Sequence, residues 1–404
     1  MKILQVNCVY NTGSTGKITY DIHHSLRKQG IESVVYYGRG TKCNEENVHK
    51  ICGELYGKFQ NLKSRVTGLM YGGCVMSTHR LIRYIRKENP DVVHLQCING
   101  YFVNIYRLVQ WLKENKMKTV LTLHAEFMYT ANCGYAIECE KWQKKCGKCP
   151  DVKRATKSIL FDNTHKSFRK MEKAFAGFEG SLEVVAVSPW VEERATKSPI
   201  LEKANCQVIL NGINTEIFCY KDADNLREEH KIGKKKCVFH VTATFSDQSG
   251  HIKGGEYIIA LAQRLKNVIF LVAGEYQISK EIPHNIIFLG KIQDQKKMAE
   301  YYSMADLTVI TSKKETFSMP CAESMCCGTP VVGFFAGGPE RIALSEYSDF
   351  VEYGNIDALE KCAKEWLFEQ NIKSKKISEH AKILFGRDEM TNQYIELYRR
   401  LTSE

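Results

Sequence analysis

The segment Glu315-Thr316-Phe317-Ser318-Met319-Pro320-Cys321-Ala322-Glu323 concentrates groups that suit a phosphorylated, polyhydroxylated ligand. An apolar run at 307–310 precedes it and reads as a strand. Pro320 suits the first turn of a helix, where its missing N–H costs nothing. Glu315 then falls in the strand-to-helix loop and Glu323 about a turn into the helix. The free amides of Phe317, Ser318 and Met319 sit at a positive helix end, a natural site for phosphate. Ionised carboxylates are acceptor-only groups, and each suits the vicinal hydroxyls of a sugar or ribose.

Two further groups lie at strand ends. Asn11-Thr12-Gly13-Ser14-Thr15-Gly16-Lys17 follows the first apolar strand. Gly13 and Gly16 permit close backbone approach to a ligand. The segment is neither a Walker A loop nor a dinucleotide fingerprint, because the glycine spacing differs and Ile18 follows the lysine. An ordinary strand-to-helix turn reads the same way. His124 ends Thr119-Val120-Leu121-Thr122-Leu123-His124, an imidazole at the carboxyl end of a buried strand. A satisfied structural histidine is the plainer reading. Ser188-Pro189-Trp190 and Asn99-Gly100-Tyr101-Phe102 are weaker signals at strand ends; the aromatic pair of the second could stack on a sugar.

Cys133, Cys139, Cys146 and Cys149 follow the pattern C-x5-C-x6-C-x2-C. Four thiolates suit a closed tetrahedral zinc site, which has no open position and so no catalytic role. Buried free thiols and redox use are the alternatives. The remaining cysteines of the sixteen read as small hydrophobes in a reducing compartment.

These groups need elements to hold them. Strand patterns at 3–9, 32–37, 92–95, 119–124 and 182–188 alternate with helical ones, such as 18–29. A second series begins near 236, with strands at 237–242, 268–273, 286–289, 307–310 and 331–335 and helices at 255–264, 296–303 and 320–327. Continuous apolar strands separated by amphipathic helices predict parallel, doubly wound sheets. Two such Rossmann-like domains are expected, with a polar linker at about 220–236 and ligands beyond the carboxyl ends of the strands, in a cleft.

At this point the chain resembles the GT-B-fold glycosyltransferases of family 4. The resemblance rests on Glu315 to Glu323, Gly328-Thr329-Pro330-Val331-Val332 and Gly337-Gly338-Pro339-Glu340. Val208-Ile209-Leu210-Asn211-Gly212-Ile213-Asn214, His251-Ile252-Lys253-Gly254-Gly255, Phe288-Leu289-Gly290-Lys291 and the tail at 385–401 are also similar. It implies an acceptor domain over 1–215 with a Cys-rich insertion at 130–150, a donor domain over 216–387, and a helix at 388–404 returning to the first domain. Glu315 would hold donor-sugar hydroxyls, Glu323 the ribose and Lys253 the diphosphate. His124 would lie against the reacting sugar, and Gly13–Gly16 would border the diphosphate or acceptor. Gly290 and Lys291 would read the base through backbone.

The implied activity is retaining transfer from a nucleotide-diphosphate sugar, without a metal in the transfer step, to a saccharide or lipid-linked saccharide. Building of bacterial capsule or O-antigen is the implied setting. The sequence departs from the family pattern in three places. No Arg lies in the segment 244–252, Thr316 replaces the usual Gly, and Ala273-Gly274-Glu275 replaces Gly-x-Gly. A nucleotide-sugar hydrolase or epimerase on the same fold is the first rival. A zinc-bearing nucleic-acid binder is the second, although no nucleic-acid motif accompanies the basic stretches.

Over 404 residues, apolar residues make up 44 % and charged residues 25 %, which excludes a disordered tail or a small disulfide scaffold. The formal charge of +11 is spread over basic stretches such as 141–148, 153–173 and 231–236, whose plain reading is a solvated face; attraction to a phosphorylated substrate or an anionic lipid surface is the functional one. The opening residues lack a signal-peptide pattern and apolar runs are too short to span a bilayer. A cytoplasmic protein, with peripheral contact at the inner face of the plasma membrane, is the expectation.

Overall fold

Strands rich in Val, Ile and Leu bury themselves on both faces, and such strands pair in parallel. The computed structural model describes residues 1–370, 372 and 375–403. The chain divides into two compact units, one of Met1–Ile209 with Met390–Glu404, the other of Leu210–Glu389.

The first unit contains β1 (Lys2–Asn7), β2 (Glu32–Tyr37), β3 (Val48–Lys50), β4 (Val92–Leu95), β5 (Thr119–Leu123), β6 (Leu182–Ala186) and β7 (Asn205–Val208). They form one sheet in the order β3-β2-β1-β4-β5-β6-β7. Every pairing is parallel, for instance Val6 with Tyr36 on one side and Leu95 on the other. A core joins Ile3, Val92 and Val120 of the sheet to Ile18 and Ile22 of helix Gly13–Lys28 and to Tyr394 and Tyr398 of helix Arg387–Ser403.

The second unit contains β8 (Cys237–Ser246), β9 (Ile269–Gln277), β10 (Ile286–Gly290), β11 (Leu307–Ile310), β12 (Val331–Phe334) and β13 (Ser348–Val351). Their order is β10-β9-β8-β11-β12-β13, again all parallel. Both sheets are α/β and doubly wound, as the alternating pattern predicts.

The differences lie at element ends. The first helix begins at Gly13 rather than near 18, so Gly13–Gly16 is its first turn and not a loop. The expected linker at 220–236 carries a helix, Asp224–Glu229. Strands β3, β7 and β13 are additions to the expected set, and all three are sheet edges.

Candidate active site

In the second unit the strand order reverses between β8 and β11, and the loops after those two strands open the crevice where ligands of such sheets bind. Lys253 follows β8 and Glu315 follows β11. Their side chains meet, Lys253 Nζ lying 2.5 Å from Glu315 Oε1, and both are mostly buried. The loops are stitched together. Lys313 N donates to Ile252 O at 2.8 Å and Thr311 Oγ1 donates to Lys253 O at 3.0 Å. Gly254 adopts φ 63°, and a Cβ there would collide with the Thr311 carbonyl oxygen. The Lys-Gly pair is therefore a steric requirement: glycine lets the lysine loop press against the glutamate loop.

Glu315 is fixed from its other side. Its N–H donates to Ala336 O at 3.0 Å and its carbonyl accepts from Gly338 N at 2.9 Å. Glu340 accepts from the amides of Ala336 and Gly337 at 3.0 and 2.7 Å. A Cβ on Gly338 would lie 2.6 Å from the Phe317 nitrogen, so the Gly-Gly-Pro-Glu turn closes directly over the Glu315 loop.

Helix Met319–Cys326 starts beside this pair. Its N-cap, Ser318, adopts φ 80° and makes no side-chain capping bond, and no acid lies in the first turn. A left-handed serine costs about 1–3 kcal/mol, retained here at the turn that leads into the helix. The Phe317 ring is buried and packs edge-on against Phe385 at 6.2 Å, leaving the backbone as its polar contribution. Glu323 accepts from the Tyr302 hydroxyl at 3.1 Å. Burial, then Glu323 itself, pushes the Tyr302 ionisation far up, so this phenol stays a donor and orients the carboxylate.

Gly290 adopts φ 68° at the end of edge strand β10, where the pairing with β9 slips by one residue. Lys291 is exposed and pairs loosely with Glu275 at 3.7 Å. Phe288 packs edge-to-face with Phe245 at 5.3 Å and at a tilt with the half-exposed Tyr276 at 4.7 Å. His251 accepts weakly from Lys253 N at 3.4 Å, which ties it to the lysine loop.

In the first unit, His124 is held by a buried relay that the sequence reading missed. His124 Nε2 lies 2.8 Å from Gln96 Oε1, so the network assigns the proton to Nε2. Gln96 Nε2 reaches Gln5 Oε1 at 3.3 Å and His94 Nδ1 at 3.4 Å. His94 also contacts the Tyr398 hydroxyl at 2.6 Å and Thr122 Oγ1 at 2.8 Å, and Thr122 meets the Tyr394 hydroxyl at 2.8 Å. Burial holds His124 down at about 4 and His94 at about 3, so both are neutral near pH 7.

Asn7, fully buried, closes the other strand end. Its Oδ1 accepts from Cys8 N and Cys97 N, and its Nδ2 reaches Val9 O, Thr15 O and Thr19 Oγ1. It thereby pins the first turn at Gly13–Gly16. A Cβ on Gly16 would meet Val9 at 3.1 Å, so this glycine serves close packing. A polar residue ending an apolar strand was the only signal for Asn7. Of the weaker candidates, Ser188 caps helix Pro189–Ala195 through Val191 N at 3.3 Å. Phe102 is core, and Tyr101 alone of that pair lines a 140 Å³ cavity.

The Cys-rich segment is tied to the turn after His124. Glu126, fully buried, accepts from Ala136 N at 2.6 Å and from Tyr129 at 2.9 Å, and pairs with Arg194 at 2.6 Å. That guanidinium lies between Trp142 and Trp190, at 4.7 and 4.8 Å. All sixteen thiols are free. Burial, followed by the neighbouring thiols, pushes Cys133 and Cys146 up to about 12, and burial also raises Cys149. The donor set is right for zinc and shares one neighbourhood. Among the described residues, however, no group of three or more His, Cys, Asp or Glu side chains is arranged to hold a metal ion.

The model of Glycosyltransferase Family 4 matches residues 15–217, half of the chain, and that of Glycosyl transferases group 1 matches 222–383. The chain belongs to glycosyltransferase family 4. It is 20 % identical to the putative colanic acid biosynthesis glycosyl transferase WcaC of Escherichia coli, over 99 % of this chain and 100 % of that protein. Identity to N-acetyl-alpha-D-glucosaminyl L-malate synthase of Bacillus anthracis is 24 %, over 97 % and 95 %. Among solved structures, sucrose-phosphate synthase from Thermosynechococcus elongatus matches with a TM-score of 0.67 at 16 % identity, covering 100 % of both chains. Anabaena HepE in complex with UDP and glucose matches with a TM-score of 0.66 at 16 % identity, covering 98 % and 99 %. The fold of this family-4 enzyme is GT-B, as the sequence resemblance implied.

Proposed function

We propose that this glycosyltransferase moves a sugar, with retention of configuration, from a nucleotide-diphosphate donor to a saccharide or lipid-linked saccharide, in bacterial surface polysaccharide synthesis such as capsule or O-antigen. The observation that carries the reading is the Lys253–Glu315 pair at the strand-order reversal, beside the uncapped start of helix Met319–Cys326. A cation and a helix start without a side-chain cap suit a diphosphate, and an oriented carboxylate suits sugar hydroxyls. The names of WcaC and of the HepE complex with UDP and glucose agree with this class.

In this reading the bond between the anomeric carbon and the diphosphate oxygen breaks, and negative charge builds on the leaving group. Lys253 and the amides of Phe317, Ser318 and Met319 stabilise it. Glu315 releases Lys253 to the phosphate and takes the sugar hydroxyls, while Glu323 takes the ribose. Gly290 and Lys291 border the base. The acceptor oxygen bonds the anomeric carbon from the face the diphosphate leaves, and its proton passes to a donor phosphate oxygen. Neutral His124 serves the reacting sugar, and the Gly13–Gly16 turn serves the diphosphate or acceptor. Cys133, Cys139, Cys146 and Cys149 would hold a structural zinc, outside the chemistry; fewer than one zinc per chain in protein purified without chelator would contradict this. The enzyme works in the cytoplasm with peripheral contact to anionic lipid.

A thermal-shift screen of nucleotide sugars tests the donor class, since a ligand bound only to the native state raises the melting temperature. Stabilisation by a UDP-, GDP- or other nucleotide sugar that is lost in Glu315→Ala supports it; no response from any of them refutes it. Product analysis with and without acceptor separates transfer from hydrolysis or epimerisation.

A further inference from the structure

Helix Glu54–Thr67 in the first unit is inside out. Its buried residues are Gly57 and Ser64, while Leu55, Phe59, Leu62 and Val66 are 82 %, 61 %, 55 % and 40 % exposed. At about 100° per residue these four fall within roughly 60° of arc. Lys58 and Arg65 flank the stripe on one side and Lys63 on the other, all three exposed. An ordinary surface helix of a globular protein turns the opposite way.

A second element extends this face. Ser158 closes a tight turn with Phe161, and the turn presents Ile159, Leu160 and Phe161 at 64 %, 65 % and 56 % exposure. The turn is anchored to the end of the helix. Ile159 N donates to Arg65 O at 2.8 Å, and Asn163 Nδ2 donates to Thr67 O at 2.7 Å. Gly68, at φ 65°, gives the backbone of Phe161 the space a side chain would take. In sequence, exposed Lys153, Lys157 and Lys166 lie on either side of the turn, with one exposed acid, Asp162, directly after it. The outward apolar residues are therefore held by built contacts, and exposed cations flank the helix stripe on both sides.

We propose that the stripe of helix Glu54–Thr67 and the 159–161 turn form one docking surface for an anionic phospholipid bilayer, with the helix lying in the interface plane and the apolar turn inserted beside it. The proposal deepens the membrane reading above by naming its surface. Apolar side chains with a basic rim are what an acidic headgroup layer accommodates. A second copy of this chain, formally at +11, would bring the same cations against these. Among the described residues no helix is long and apolar enough to cross a membrane.

The test is co-sedimentation with vesicles of phosphatidylcholine alone and with 30 % phosphatidylglycerol, at low and high salt. The native chain binds the acidic vesicles, and binding falls at high salt. Phe59→Asp with Leu160→Asp, or Lys58→Glu with Arg65→Glu, lowers that binding at least about tenfold, with unchanged circular dichroism and nucleotide-sugar thermal shift. If the native chain ignores acidic vesicles, both the membrane reading and this surface fail. If it binds and the variants bind equally, the membrane reading stands and this surface is wrong. A dimer in solution that Phe59→Asp dissociates, with no vesicle binding, replaces lipid with a second copy.

Discussion

Lys253 and Glu315 form an ion pair, and in the proposed reaction a donor parts them before using either. Removing one partner exposes what the other does alone. Lys253→Met loses the charge facing the leaving group and should lower kcat about 10²–10³-fold, the range for deleting one transition-state donor. Glu315→Ala should abolish measurable transfer while circular dichroism and melting stay near native. Normal turnover by Glu315→Ala would remove it from the site. The pH dependence is equally specific. His23, His124 and His240 are held at about 4 and His94 at about 3, in each case chiefly by burial, below the ordinary 6.5. Between those values the unfolded chain binds more protons, so stability is full above about pH 6.5 and is lost as pH falls toward 4. The melting temperature should therefore drop steadily from pH 7 to pH 5, while the transfer rate shows no inflection from His124 between pH 6 and 8. Glu315 and Glu323 were singled out by the loop and Pro-started helix after a strand, and His124 by the end of its strand, while Lys253 stood out only through the family resemblance. Gln96, His94 and Tyr398 were not, because their contacts join separate strands and, for Tyr398, the far end of the chain, and carry no local spacing.

Elements were readable where burial dictates composition. Central strands such as β4, β5, β11 and β12 are buried along their whole length, and their apolar runs declare them. The missed strands β3, β7 and β13 are edges, and edge strands are short and mixed in character. The late start expected for the first helix has a similar cause. Gly13, Ser14, Thr15 and Gly16 are weak helix formers, and here Asn7 and the close packing of Gly16 against Val9 override that weakness. The loop at Gly254 yields a sharp prediction at this scale. Gly254→Ala adds a Cβ against the Thr311 carbonyl at a left-handed position, and should cost about 2–4 kcal/mol. Calorimetry should show the loss as a lower melting temperature, with weakened nucleotide-sugar stabilisation because the Lys253 loop is displaced. A Gly254→Ala enzyme that melts and binds like the native one would show that the loops are not pressed together.

At the scale of the whole chain, the last helix is part of the first unit, from Met390 onward. Tyr394 and Tyr398 reach the buried polar residues of β4 and β5 through Thr122 and His94. Tyr398→Phe removes a donor from His94 in a buried relay, a loss of about 1–3 kcal/mol. Hydrogen exchange should rise in both β4 and helix Arg387–Ser403, although these segments are distant in sequence. Protection unchanged at β4 would mean the helix merely covers the sheet.

The helix that turns its oily side to solvent also shapes how the protein behaves on the bench. Leu55, Phe59, Leu62 and Val66 lie uncovered whenever the enzyme is taken into plain buffer, and large apolar patches drive sticking. Losses on plastic and slow clouding on concentration should follow, both relieved by a mild nonionic detergent below the level that perturbs either sheet.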